Sequence, residues 1–433
     1  MTGSLHPRYL EVRLYGEVCG YLCELGGNCR FVPSESFKAA NGAPTLTLSM
    51  AIPGAPAIAA DIFSNAFHPA LYNTGGKLPP FFAGLLPESD LRKRLEATRH
   101  NPEDRDDFGV LAAAGEDLPG AVVVQPPAEA RSIPEYARTF GAAGGADNLE
   151  MGVTEGAAEG AASISGVQNK LALSTVDKGK RYTMPGRGQL SDVIAKLPAK
   201  NDDSQIFNEY VAMQLAKAAG VNVASCEPMN LSVIEIDGLQ AIAGTATSFL
   251  AVERYDRQGK ERIHAEDACQ MLGRMPAAKY GKEEQFRLLL SLLNALSPRG
   301  VRDVREFFMR QAVNTLVGNS DAHLKNFSVL YADKVYPELT PAYDIVCVAA
   351  LPGFFSYGTN VAIDRMQRAQ TLDTYTELAK AAGIAQRIAT AAVKSAVSAA
   401  HDMWPKMLDD LPAPLGMKEV ILDRLRTLPL ALL

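Results

Sequence analysis

Nothing in this 433-residue chain approaches the roughly 20 consecutive apolar residues that a helix needs to cross a bilayer. The richest run, Leu288 to Leu296, is broken by Ser291 and Asn294, so no membrane association is expected. Glu11 and Arg13 interrupt the first apolar stretch, which lacks the pattern of a secretory signal, and the expected location is cytoplasmic. Cysteine is scarce: six residues in so long a chain suggest free thiols rather than a disulfide framework. Cys19, Cys23 and Cys29 cluster without a nearby histidine, at a spacing that fits no common zinc pattern, and read as core or strand residues. A surplus of positive charge is missing too. The formal charge of −6 argues against nucleic-acid binding by bulk electrostatics, although a local basic patch can still touch DNA within a complex.

What is present reads as a β-rich half feeding a helical half. Leu10, Val12 and Leu14 alternate with Glu11 and Arg13, Gly16 offers a turn, and Val18 to Leu22 continues the pattern. Thr45 to Met50 alternates again and predicts another strand. Pro79 to Ser89 leads into a charged helix over 90–99. From Gly141 to Gly166 the chain is rich in Gly and Ala with almost no large apolar side chains, so a mobile segment is expected. Strands resume at Lys170 to Ser174, Arg181 to Met184 and Val193 to Leu197. A helix over 206–219 presents Phe207, Val211, Leu215 and Ala218 on one face, a hairpin is expected around Asp237-Gly238, and Phe249 to Tyr255 reads as a strand. Beyond Ala265 the periodicity is almost entirely helical, with a long amphipathic helix over 301–317 and a short strand over 327–331.

The chemistry concentrates in Asn319-Ser320-Asp321-Ala322-His323-Leu324-Lys325-Asn326 and in Thr340-Pro341-Ala342-Tyr343-Asp344. Phosphoryl transfer needs a carboxylate to orient the attacking hydroxyl, and a carboxylate with an amide oxygen to hold magnesium against nucleotide phosphates. Asp321, Asn326 and Asp344 have the types for this. Taken alone, an Asp followed five positions on by an Asn also describes a helix-capping turn. The context favours chemistry, because Asp321 falls in a loop just past a long helix and before a strand. Lys196 ends the run Val193-Ile194-Ala195-Lys196, whose alternation puts its ammonium on a strand face; a solvated lysine is the competing reading. Ser163-Ile164-Ser165-Gly166 precedes a strand, and a single glycine there is a weak phosphate-loop signal.

Together these stretches resemble the HipA family of toxin serine/threonine kinases. The resemblance rests on Ser163-x-x-Gly166-x-Gln168-x-Lys170, Ile194-Ala195-Lys196-Leu197-Pro198, Asn208-Glu209-Tyr210 with Leu215-Ala216, Val252-Glu253-Arg254-Tyr255-Asp256-Arg257, Glu266-Asp267, the Asn319 to Asn326 motif and Pro341-Ala342-Tyr343-Asp344. Leu85-Leu86-Pro87-Glu88 resembles the family's N-terminal domain. The fold implied is α+β: a two-lobed protein-kinase-like fold with a β-rich N-terminal part and a helical C-terminal lobe. Its expected parts are an N-terminal domain at 1–125, a flexible Gly/Ala-rich segment at 126–165, a kinase N-lobe at 166–256 and a helical C-lobe at 257–433.

The resemblance implies Asp321 as catalytic base, Asn326 and Asp344 as magnesium ligands, and Lys196 as a phosphate contact. It implies a nucleotide loop of Ser165, Gly166, Val167, Gln168, Asn169 and Lys170, and a hinge of Glu253, Arg254 and Tyr255 that holds adenine through backbone groups. His323, Lys325 and Tyr343 complete the ATP site, with ATP and Mg2+ as cofactors. Ser163 matches the serine that family members phosphorylate on themselves, with Ser165 as a competing acceptor. General kinase logic pairs Glu209 with Lys196. The implied partners are a HipB-like helix-turn-helix antitoxin, operator DNA through the antitoxin complex, and a protein substrate such as glutamyl-tRNA synthetase. The chain lacks the G-x-G-x-x-G loop and the His-Arg-Asp and Asp-Phe-Gly triplets of ordinary protein kinases. Two other functions stay open: a corepressor subunit with little turnover, and a small-molecule kinase.

Overall fold

The computed structural model describes residues 6–129, 133–138, 152–158, 161, 169–186, 188–236, 238–280, 283–356 and 358–433. Alternation at the start of the chain produces three antiparallel strands, β1 (Arg8–Leu14), β2 (Glu17–Leu25) and β3 (Asn28–Pro33). The first turn puts Tyr15 and Gly16 at φ 52° and 86°, and the second puts Gly26 and Gly27 at 58° and 80°. Such left-handed pairs match the twist of a tight hairpin. With β4 (Tyr72–Asn73) and β5 (Val122–Gln125) they form a sheet of order β4-β3-β2-β1-β5. Its inward face buries Leu10, Val12, Leu22 and Phe31 against Phe81, Phe82 and Phe108. Gly20 permits this packing, since a Cβ there would lie 2.5 Å from the Val32 carbonyl oxygen.

A second sheet, in the order β7-β6-β8-β10-β9, comprises β6 (Lys170–Val176), β7 (Arg181–Thr183), β8 (Val193–Lys196), β9 (Cys226–Asn230) and β10 (Ser248–Glu253). The helix Ser204–Ala218 packs against β10 and β9. A short hairpin, β11 (Arg257–Gln258) and β12 (Glu261–Arg262), leads to a sheet of β13 (Ala265–Asp267), β14 (Ser328–Leu330) and β15 (Glu338–Leu339). Around it lie helices Glu283–Leu296, Val301–Val317, Gly358–Arg368, Leu372–Ala381, Gln386–Asp410 and Met417–Thr427. Trp404 is fully buried and its indole N–H donates to the Leu215 carbonyl at 2.9 Å, pinning the longest helix to Ser204–Ala218.

Several expectations need correction. Thr45 to Met50 forms no strand. Its amide and hydroxyl groups bond instead to the C-terminal half, Thr45 to the carbonyls of Lys334 and Val335 and Leu48 N–H to the Glu266 carboxylate at 2.9 Å. The alternation there records alternate burial without a neighbouring strand. The expected hairpin at Asp237-Gly238 is also absent: Asp237 lies outside the described residues, and Gly238 at φ 76° opens a short helix, Leu239–Ala243, that buries Leu239 and Ala243. Beyond Ala265 the helical reading missed the two- and three-residue strands β13 and β15, which are too short to show a period. Most of the Gly/Ala-rich segment lies outside the described residues. Residues 152–158, however, are held to the first sheet's domain. Glu155 N–H donates to Asp104 at 2.8 Å, Arg99 donates to the carbonyls of Glu155 and Gly156, and Ala158 N–H reaches Ala113. The segment is fastened by its backbone, so its poverty in apolar side chains did not predict this. All six cysteines are free, and five are buried. Among the described residues no helix is long and apolar enough to cross a membrane.

Glu266 fastens the 45–48 arm to the rest of the chain. It accepts from Leu48 N–H and from the Tyr331 hydroxyl, and is only 2% exposed. Burial pushes its carboxyl from an ordinary 4.5 up to about 7. The folded chain therefore keeps a proton that the unfolded chain releases. This group's stabilising contribution should be full below pH 4.5, fall as pH rises to 7, and level off beyond with a loss on the order of 3 kcal/mol. Urea unfolding of the wild type and Glu266→Gln at pH 5 and pH 8 checks this: the difference in stability between them should shift in favour of the variant as pH rises.

Candidate functional site

Alternation along β8 decides where its last side chain goes. Val193 and Ala195 face the small core behind the second sheet, whereas Ile194 and Lys196 line a cleft of about 570 Å³ between that sheet and the helical half. The Lys196 ammonium is buried and lies 2.5 Å from Glu209 Oε1 and 2.5 Å from Asp344 Oδ1. Burial disfavours that charge, yet Asp344 and Glu209 together push the lysine above its ordinary range. Burial likewise works against ionised Asp344, but Lys196 and Lys170 hold its carboxyl well below the usual carboxylate range. Glu209 is buried so deeply that its carboxyl is pushed up despite Lys196. Lys196 is thus shared between two carboxyl groups whose pKa values are pushed in opposite directions.

Gly318, at φ 84°, ends the helix Val301–Val317 and turns the chain into the Asn319 to Asn326 loop. There the Asn319 side chain accepts from Asp321 N–H, and the Asn326 carbonyl oxygen accepts from His323 N–H at 3.1 Å. The Asn326 amide donates to Asp344 Oδ2 at 2.8 Å. Asp344 takes the left-handed φ of 61°, which aspartate tolerates better than most residues. Asp321, His323, Asn326 and Asp344 all line the cleft. His323 is mostly buried, which with Lys279 nearby lowers its pKa. Its Nδ1 has no hydrogen-bond partner among the described residues.

The far end of the cleft is formed by Val252 to Asp256. Two of the three backbone amides in the stretch expected to hold adenine, Glu253 to Tyr255, are already engaged. Glu253 N–H already donates to Ser225 and Arg254 N–H to Asp192, leaving the Tyr255 amide without a partner among the described residues. The Arg254 side chain turns away into a buried ionic cluster, to Asp256 at 2.7 Å, Ser191 at 2.8 Å and Asp117 at 3.4 Å. Arg257 joins the same cluster at 2.8 Å from Asp117 and from Asp256. Tyr255 stacks on Tyr343 with ring centres 5.6 Å apart, and the Tyr343 hydroxyl is fixed by Ser328 and the Lys325 carbonyl.

Lys325 lines the cleft with its ammonium already paired. Its side chain is 3% exposed and its ammonium lies 2.5 Å from Glu88, which reaches in from the N-terminal part. Burial works against the Glu88 anion, but Lys325 prevails and holds its carboxyl below the ordinary range. Lys170 lies opposite Lys196 in the β6–β8 register and lines the cleft; Asn169 instead accepts from Leu197 N–H and is not among the lining residues. Ser163, Ser165, Gly166, Val167 and Gln168 lie outside the described residues. Sequence reasoning missed Lys279, Tyr280 and Asn360. The Tyr280 hydroxyl donates to Asp321 Oδ1 at 2.6 Å and the Asn360 amide reaches the same oxygen at 3.4 Å. No spacing rule links positions 41 and 39 residues from Asp321 to it.

The donor set suits magnesium. Asp344 and Asn326 lie side by side on the cleft wall, joined by the Asn326 amide N–H on Asp344 Oδ2, and each carries a hard oxygen of the kind magnesium takes. No cluster of three His, Cys, Asp or Glu able to hold a metal occurs among the described residues. Magnesium commonly takes one or two protein groups, with phosphate oxygens and water in its other positions. The orphaned His323 Nδ1 and the cleft lysines suit a nucleotide's phosphates in the same way.

Comparison with known proteins agrees with this geometry. Residues 10–125 match the HipA N-terminal domain model, and residues 162–404 match the HipA-like C-terminal domain model. A Sinorhizobium fredii protein that bears the provisional name kinase Y4dM is 30% identical over 417 residues, 95% of each chain. The serine/threonine-protein kinase toxin HipA of Shewanella oneidensis is 29% identical over 307 residues, 64% of each chain. A chain in the solved complex of Shewanella oneidensis HipA, HipB and operator DNA superposes with a TM-score of 0.62. It is 21% identical, and the alignment covers 97% of this chain and 96% of that one. The architecture is the two-lobed, kinase-like α+β fold of that chain. With the C-terminal model alone spanning more than half of its length, the chain belongs to the HipA family.

Proposed function

We propose that this chain is an ATP- and magnesium-dependent serine/threonine protein kinase that acts as the toxin of a toxin–antitoxin pair. The observation that carries the reading is the linked set Lys196–Asp344–Asn326 lining one cleft together with Asp321. The named kinases among its relatives support it. When bound, ATP supplies the phosphoryl group and magnesium shields its charge. Asp344 and Asn326 hold the metal through their oxygens, and Lys196 balances charge toward the inner phosphates. The backbone of Glu253, Arg254 and Tyr255 would hold adenine, with the stacked Tyr255–Tyr343 pair beside it. Asp321, within the loop that Asn319 orders, orients the acceptor hydroxyl and takes its proton.

The relative's assembly with HipB and operator DNA supports a HipB-like antitoxin for this chain, with operator DNA met through that complex. A charge of −6 fits a DNA contact that the partner supplies. The protein substrate proposed from the family is a translation factor such as glutamyl-tRNA synthetase. Ser163, beside the proposed nucleotide loop, is the proposed site of inactivating autophosphorylation: a phosphoserine carries about −1.5 to −2 charge and repels the nucleotide's own phosphates.

Replacing the base tests the core of this. Asp321→Ala should slow phosphate incorporation from labelled ATP by about 10²–10⁴-fold without unfolding the protein; near-normal transfer by the folded variant would sink the assignment. The metal role has its own check. By calorimetry, Asp344→Ala should lose the magnesium-dependent part of ATP binding, and an unchanged magnesium dependence would count against it.

A further inference from the structure

A transferring phosphoryl group spreads negative charge over its outer oxygens, and enzymes answer it with a fixed cation on the acceptor side. The residue two past Asp321 is the imidazole of His323, not a lysine. Five fixed cations line the cleft: Lys170, Lys196, Arg254, Lys279 and Lys325. Four of them are placed for other work. Lys196 is shared by Glu209 and Asp344, each at 2.5 Å. Lys325 is buried against Glu88 at 2.5 Å. Arg254 belongs to the Asp256 and Asp117 cluster. Lys170 sits on β6 directly opposite Lys196, in the sheet across the cleft from the Asp321 loop.

Lys279 differs from all four. Its nearest carboxylate oxygen, Glu88 Oε2, is 4.0 Å away, and its side chain is 16% exposed toward the cleft. Its backbone is tied to the loop that carries the base, since the Leu324 N–H donates to the Lys279 carbonyl at 3.0 Å. Its ammonium lies 5.5 Å from the centre of the Tyr280 ring, whose hydroxyl holds Asp321 at 2.6 Å and whose edge meets the His323 ring at 5.4 Å. One dipeptide thus puts a lightly paired ammonium and a grip on Asp321 side by side.

We propose that Lys279 is a catalytic residue of this site, its ammonium pairing with the phosphoryl group in transit, while Tyr280 positions Asp321. The inference rests on the kinase reading above. In the step it serves, the acceptor hydroxyl oxygen bonds to the γ-phosphorus as the bond from that phosphorus to the β–γ bridging oxygen breaks. The hydroxyl proton passes to Asp321, and the electron pair leaves with ADP. Lys279 offsets the charge carried across, and the Tyr280 hydrogen bond at Oδ1 leaves Asp321 Oδ2 for the acceptor.

The test uses the full chain with ATP and magnesium, comparing wild type, Lys279→Met, Lys279→Arg and Tyr280→Phe. Lys279→Met should cut the rate of phosphate transfer by about 10²–10³-fold and weaken ATP binding several-fold while leaving ADP binding unchanged, because only ATP presents the γ-phosphate. Lys279→Arg, which keeps the charge, should recover most of the rate. Tyr280→Phe, which keeps the ring, should lower kcat with little change in the KM for ATP. Transfer by Lys279→Met within about threefold of wild type, or an equal loss of ATP and ADP affinity, would overturn the proposal; should Lys279→Met melt early, Lys279→Gln read by the same ATP and ADP comparison decides it. A wild type that transfers no phosphate, or an Asp321→Ala variant as active as wild type, would instead overturn the kinase reading and take this inference with it.

Discussion

The Lys196 ammonium is the contact on which the rest of the cleft depends. It ends a strand of one sheet, meets Glu209 on the helix packed on the cleft face of that sheet and meets Asp344 on a loop of the helical half. Desolvating such charges costs several kcal/mol per ion, and the attraction between them offsets that only when geometry is good and remaining lone pairs are used. Here they are used: the second Asp344 oxygen accepts from Asn326, whose carbonyl oxygen accepts from His323 N–H. The chain of bonds runs from β8 to the loop that carries Asp321. These bonds add an electrostatic register to lobes that also share one apolar core, to which Leu250 and Val252 of the second sheet and Phe307, Phe308 and Trp404 of the helical half all belong.

The N-terminal sheet's domain grips the same cleft at several points. Asp117 stands in the Arg254 and Arg257 cluster, Glu88 neutralises Lys325 within the Asp321 loop, the Phe81 carbonyl accepts from Gln270, and Leu48 bonds to Glu266. Breaking a buried pair by removing one partner typically costs about 3–5 kcal/mol because the other charge is left alone. Residues of the N-terminal domain therefore help fix the Val252 to Asp256 stretch and the loop that carries Asp321. A protein bound to the first sheet has a physical route to the site through these contacts.

Much of this was legible in the sequence, and the failures have definite causes. Long elements with a clear period, such as Val301–Val317 and Ser204–Ala218, were read to within two residues. The grouping of Lys196, Glu209, Asn326 and Asp344 followed from local motifs whose chemistry limits what they can do. The pairing of Lys325 was not legible because its partner Glu88 lies 237 residues away, and no local pattern reveals which lysine in a loop is already paired. Tyr280 and Lys279 were missed for the same reason. Thr45 to Met50 shows the converse error: alternation signals alternate burial, and a strand needs in addition a neighbour to bond with. The proposed nucleotide loop through Gln168 lies outside the described residues.

The segment after Asp344 argues about where control can act. In ordinary protein kinases the corresponding position is Asp-Phe-Gly, where the packing of the Phe sets active and inactive states. Here Asp344 is followed by buried Ile345 and Cys347. The Asn208 side chain closes a pair of hydrogen bonds on Cys347, accepting from its N–H at 2.8 Å and donating to its carbonyl at 3.1 Å. Asn208 precedes Glu209 on the same helix, so the helix that holds Lys196 also holds the strand of chain leaving Asp344. Swinging Asp344 outward would strip partners from two buried backbone groups and from an amide, at about 1–3 kcal/mol each, and would leave Lys196 buried with Glu209 alone. A switch built on that movement works against several contacts at once. Control exerted through the lightly held Lys279 side of the cleft, or through the N-terminal grip on Lys325, opposes far fewer.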